Sequence, residues 1–126
     1  MNSTEPSPNS APLIDFDQLN SACDGDTDLL RELMDMYFGQ ADQIMLGLRQ
    51  AIETGAATEV NHLAHKLAGS SLACGLTAVV PFVRELELAA KEGHLEGAED
   101  SMAQAVNSLE LLRQAVQDYL RQIQSQ

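Results

Sequence analysis

Val60-Asn61-His62-Leu63-Ala64-His65-Lys66-Leu67-Ala68-Gly69-Ser70-Ser71-Leu72-Ala73-Cys74-Gly75 is the stretch on which the reading of this chain turns. A helix advances about 100° per residue. On that spacing Val60, Leu63, Leu67, Ser71 and Cys74 share one stripe, the buried face of an amphipathic helix. His65 falls nearly opposite the stripe and points to solvent. Asn61 and Gly69 lie one turn to either side of it, Ala68 beside them, and Leu72 two turns on. A glycine inside a helix costs about 1 kcal/mol relative to alanine, so Gly69 gives up helix stability and leaves the imidazole uncovered. A lone exposed leucine needs no explanation; an exposed leucine at the edge of a cleared histidine predicts a surface that another protein covers.

The flanking segments supply partners for the buried stripe. Leu30, Leu33, Tyr37, Ala41, Ile44, Leu48 and Ile52 recur at three- and four-residue spacing and predict a helix from Thr27 to Glu53, capped by Asp26 or Thr27. Met34, Phe38 and Met45 widen its apolar surface, as further core or as part of a docking patch. Gly39 and Gly47 weaken it slightly. Thr54-Gly55 ends it, and the His65 helix then begins near Ala56 to Thr58, with Thr54 or Thr58 as its cap; Gly75 closes it. Thr77 caps the next helix, which continues to Lys91 with Pro81 in its first turn. Glu92-Gly93-His94 is the turn into the last helix, Leu95 to Ile123, whose Ala98, Met102, Ala105, Leu109, Leu112, Val116 and Leu120 follow a heptad-like spacing. Upstream, Ile14-Asp15-Phe16-Asp17-Gln18-Leu19 predicts a short helix that closes one end of the assembly, stopped by Asp24-Gly25-Asp26. Short links between four long helices predict an all-α antiparallel up-down-up-down four-helix bundle with a short extra N-terminal helix. Residues 1–12, with Pro6, Pro8 and Pro12 among Ser and Asn, read as a disordered tail, and 13–126 as the single bundle domain.

Composition narrows the function. Seven basic against 19 acidic residues give a net charge of −12, which repels nucleic acid and anionic lipid. The sequence holds no apolar run near 18 residues and no signal-peptide pattern at its start, so a cytoplasmic protein is expected. Cys23 and Cys74 fall in different elements and read as buried free thiols rather than a disulfide.

His65-Lys66-Leu67-Ala68-Gly69-Ser70-Ser71, Gly75 ten residues after the histidine, and Leu86-Glu87 in the following helix resemble the histidine-containing phosphotransfer (HPt) domain. The resemblance spans roughly Leu29 to Leu120. It implies that His65 accepts a phosphoryl group from a receiver-domain aspartyl phosphate and passes it to another aspartate, with no nucleotide site and no kinase activity in this chain. The implied partners are receiver domains of a hybrid kinase or of response regulators, met by a monomer. Mg²⁺ is expected in the receiver's acidic pocket, because no cluster of carboxylates flanks His65 in the sequence. The resemblance departs at Ala68, where the family usually has lysine. Lys66 is then the first candidate to steady the phosphoryl oxygens, with Arg84 and Lys91 after it. The docking rim expected around His65 comprises Asn61, His62, Ala68, Gly69, Leu72 and Ala73.

Two other readings compete. Glu59-Val60-Asn61-His62 has the Glu-x-x-His spacing of metal-binding bundles, but it occurs once and tends outward. A helical adaptor could bind through the same exposed face with His65 as a bystander.

Overall fold

Short polar caps set where the helices begin. Asp15 and Asp26 have extended backbones, and their carboxylates accept the amides of Gln18 and Leu29 at 3.2 and 3.0 Å. The helices that follow are α1, Phe16–Ala22, and α2, Thr27–Thr54. The computed structural model describes residues 13–124; the tail expected at 1–12 lies outside the described residues. The remaining elements are α3, Ala57–Ala73, a 3₁₀ turn at Thr77–Val79, α4, Val80–Lys91, and α5, Ala98–Gln124. No strand occurs among the described residues.

The start of α3 departs from the sequence reading, since Ala56 precedes it and no side chain caps it. Thr54 Oγ1 instead donates to the carbonyl oxygens of Gln50 and Ala51. Gly55 turns the chain with φ 71°, and the Ala56 amide still bonds Ala51 O at 2.8 Å. Thr77 likewise opens the 3₁₀ turn rather than α4, which starts at Val80 with Pro81 in its first turn. The last helix begins at Ala98, three residues later than expected, because Gly97 holds a left-handed φ of 81°.

Each long helix packs on its neighbours: α3 against α2 and α4, and α5 against α4 and α2. Tyr37 of α2 meets Ser71 of α3, whereas Gly47, further along α2, meets the earlier Leu63, so these two helices run in opposite senses. The same holds for α2 and α5, where Asp42 pairs with Arg113 while Arg49 shares a groove with Val106. The interior holds Leu30, Leu48, Leu67, Val83, Leu86 and Leu112, each fully or almost fully buried. Burying a side chain of this kind contributes roughly 1.5–3 kcal/mol. Met34, Phe38 and Met45 are buried too, so they belong to the core. The two cysteines are buried and free.

Two glycines gain a physical role. At Gly47 a Cβ would stand 3.0 Å from Leu63 Cδ1, so its absence lets α3 approach the α2 backbone. Gly75 has φ 75° and lies against the backbone of α1, where a Cβ would overlap Asp15 O and sit 3.0 Å from Leu19 N. Its carbonyl accepts the Asp15 amide at 2.7 Å, which fastens α1 to the end of α3.

Candidate phosphotransfer site

The buried face of α3 is rotated from the stripe read off the sequence. Its fully buried positions are Val60, Ala64, Leu67, Ala68 and Ser71, with Leu63 only half-buried. The cause is α4, which covers the flank that carries Ala64 and Ala68; two alanines allow close approach of the helices. His65 therefore stands beside the α3–α4 seam rather than opposite the core. Its side chain is 70% exposed.

From that seam α4 reaches the ring. Glu87 Oε2 lies 2.6 Å from His65 Nδ1, and Glu87 Oε1 accepts from Arg84 Nη1 at 2.6 Å. Asn61 Nδ2 donates to the Glu87 backbone carbonyl at 3.0 Å, one turn before His65. Burial pushes the Glu87 carboxyl up, but the hydrogen bonds and charges of Arg84 and His65 outweigh it and hold the group below the ordinary glutamate range. An ionised carboxylate only accepts, so Nδ1 carries the ring proton. In the neutral imidazole the lone pair is then on Nε2.

Around the ring is a shallow depression of about 550 Å³ lined by Thr58, Asn61, His65, Glu87, Ala90 and Lys91. Lys66 is exposed but is not part of it. Among the described residues neither Lys66 nor Lys91 joins an ion pair, whereas Arg84 is engaged with Glu87.

The expected rim divides in three. Gly69 is exposed with nothing within 4 Å of a Cβ built on it, Leu72 is 44% exposed, and His62 and Ala73 are open as well. Asn61 is half-buried and its amide ties α3 to α4, so it shapes the depression instead of offering a free donor. Ala68 is fully buried and cannot contact a partner. A lone alanine carries too little hydrophobic weight for the sequence to reveal which flank a neighbouring helix covers, and α4 covers this one. Away from the seam, Ser70, Ala73 and Cys74 border a groove with Leu33, Met36 and Tyr37 of α2, and Met36 is widely exposed.

Ser71 does more than permit packing. Its hydroxyl and that of Tyr37 lie 2.6 Å apart in the core, joining α2 to α3. Burial pushes the Tyr37 phenol up to about 12, against the opposing effect of this hydrogen bond. Burial likewise raises the Cys74 thiol, which keeps it protonated. Glu59 and His62 are exposed on α3, and the described residues contain no grouping of three or more His, Cys, Asp or Glu side chains able to hold a metal.

His65 is thus an accessible imidazole on a helical bundle, held by a carboxylate from the adjacent helix, an arrangement suited to an activated nucleophile. The chain matches the Hpt domain over residues 32–126 and belongs to that family. Hpt proteins are phosphotransfer intermediates of phosphorelays rather than kinases. Among solved structures it is similar to histidine-containing phosphotransfer protein B from Pseudomonas aeruginosa, at 25% identity with a TM-score of 0.82, covering 90% of this chain and 98% of that one. A search of curated proteins gives no significant match. No helix among the described residues is long and apolar enough to cross a membrane.

Proposed function

We propose that this chain is a phosphorelay intermediate in which His65, on an antiparallel up-down-up-down bundle, takes a phosphoryl group from a receiver-domain aspartyl phosphate and delivers it to the aspartate of another response regulator. The observation that carries the reading is the pairing of an exposed ring with the Nδ1 to Glu87 contact of 2.6 Å. The Nε2 lone pair attacks phosphorus in line, the N–P bond forms, and the P–O bond to the aspartate breaks so that the donor leaves as a carboxylate. No proton needs to move. The ring keeps its Nδ1 hydrogen and becomes cationic, and the Glu87 carboxylate stabilises that charge. Passing the group onward is the reverse sequence on a second aspartate.

The protein's share of catalysis is positioning. Arg84 keeps Glu87 ionised and aimed, and Glu87 fixes the ring. Gly69, Leu72, Ala73 and His62 form the open rim on which a receiver settles, with the α2–α3 groove around Met36 extending it. Mg²⁺, which supplies charge neutralisation at the aspartate, belongs to the receiver. The carrier works as a cytoplasmic monomer, and its net charge of −12 keeps it away from nucleic acid.

The test is incubation with a phosphorylated receiver from the same organism, using wild type and His65→Gln, with receiver binding measured alongside. The proposal requires labelling of wild type, none of His65→Gln, and binding by both. Binding without labelling of wild type would leave the helical adaptor as the function.

A further inference from the structure

A phosphoryl group on His65 places about two negative charges on its oxygens, only partly offset by the cationic ring that bears it, in a chain that is already strongly acidic. Transfer of such a group depends on cations placed against its oxygens. Three cations lie close enough in sequence or space to matter. Lys66 follows His65 directly, which turns it about 100° around α3, and it does not line the depression beside the ring. Arg84 is held by Glu87 Oε1 at 2.6 Å, on the carboxylate that orients the ring. Lys91 lines the depression together with His65, one turn beyond Glu87 on the same face of α4, and pairs with no acid among the described residues. Position 68 of α3 offers no cation, since Ala68 is buried under α4.

We propose that Lys91 is the cation that contacts the phosphoryl oxygens on His65, and that Arg84 acts only through Glu87 as a positioning residue. The assignment rests on His65 being the phosphoacceptor. Its ammonium donates hydrogen bonds to oxygens that stay on phosphorus throughout, so it makes and breaks no covalent bond. The depression of about 550 Å³ leaves room for the group between the ring and the last turn of α4. The cation thus comes from α4 and not from α3.

Full-length Lys91→Gln, Lys91→Arg and Lys66→Gln are each phosphorylated by the same phosphorylated receiver, and acceptance rates are compared with wild type. Lys91→Gln is expected to accept about tenfold more slowly, the loss of one charge-assisted hydrogen bond at an exposed site. Lys91→Arg keeps most of the rate, and Lys66→Gln changes it less than twofold. A second readout is insensitive to mere packing: the phosphorus resonance of phospho-His65 is titrated with pH. Removing a nearby cation raises the phosphoryl pKa by about 0.5–1 unit. Wild-type behaviour of Lys91→Gln in both measurements, or a loss that follows Lys66→Gln instead, overturns the assignment and leaves the carrier reading intact. If wild type accepts no phosphoryl group at all, both fall.

Discussion

Gly69 separates what the fold wants from what the site wants. It lies inside α3 with no unusual backbone angle, and a Cβ added there meets nothing within 4 Å. Only helix propensity then acts on Gly69→Ala, which should stabilise the protein by about 1 kcal/mol. For a chain of 126 residues that is a rise in melting temperature of about 4 °C. Gly69→Gln gains somewhat less stability and projects a long side chain over the face that a receiver must cover. If in-line attack needs the receiver's aspartyl phosphate close against Nε2, a displacement of about 1 Å lowers transfer on the order of 100-fold. Thermal and urea melts followed by circular dichroism give the first quantity, and rapid-mixing phosphotransfer gives the second. Destabilisation by Gly69→Ala would show that the position is not open. Wild-type transfer by a well-folded Gly69→Gln would refute the idea that the clearing serves docking.

Other substitutions probe the supports of the site. Gly75→Ala forces a left-handed residue and a Cβ into the α1 backbone, and should cost about 3 kcal/mol or more in urea unfolding. Tyr37→Phe leaves the buried Ser71 hydroxyl without its partner and should cost about 1–3 kcal/mol, partly recovered by adding Ser71→Ala. Because burial raises the Tyr37 phenol to about 12, the folded state favours the neutral form. That contribution is complete below the unfolded value of about 10 and is lost as pH rises through the folded one, which a phenolate absorbance titration with parallel melts will follow. Glu87→Ala should slow transfer about tenfold or more by removing both the ring's orientation and its counter-charge, while Glu87→Gln, which still accepts from Nδ1, should lose less. Since the folded-state pKa of Glu87 is lowered, its share of stability is present above the unfolded value of about 4.3 and fades as pH falls through the folded value, measurable as a pH-dependent midpoint in urea.

Local pattern carried the elements further than it carried the site. The apolar spacing in α2 and α5 and the Asp26 cap were readable because each depends on neighbours within a turn or two. The start of α3 was not, because the Gly55 turn does the work that a side-chain cap would otherwise do. His65 stood out through the small residues around it. Glu87 did not stand out as its partner, since the contact spans 22 residues and depends on how α4 lies across α3. The same long-range fact buried Ala68, engaged Asn61, and placed Lys91 rather than Lys66 in the depression. Ser71 read as an inward small residue, and its hydroxyl partner Tyr37 lies 34 positions earlier on another helix.

Under the proposed function, Nε2 of His65 is the atom that carries the phosphoryl group. Its most direct test is nitrogen-15 and phosphorus NMR of the chain after phosphorylation by a receiver, joined to mass spectrometry at neutral and acidic pH. One acid-labile phosphoryl group is expected, bonded to Nε2 of His65, with Nδ1 protonated before and after transfer. A group on Nδ1, on another residue, or none on a chain that still binds receivers would contradict it.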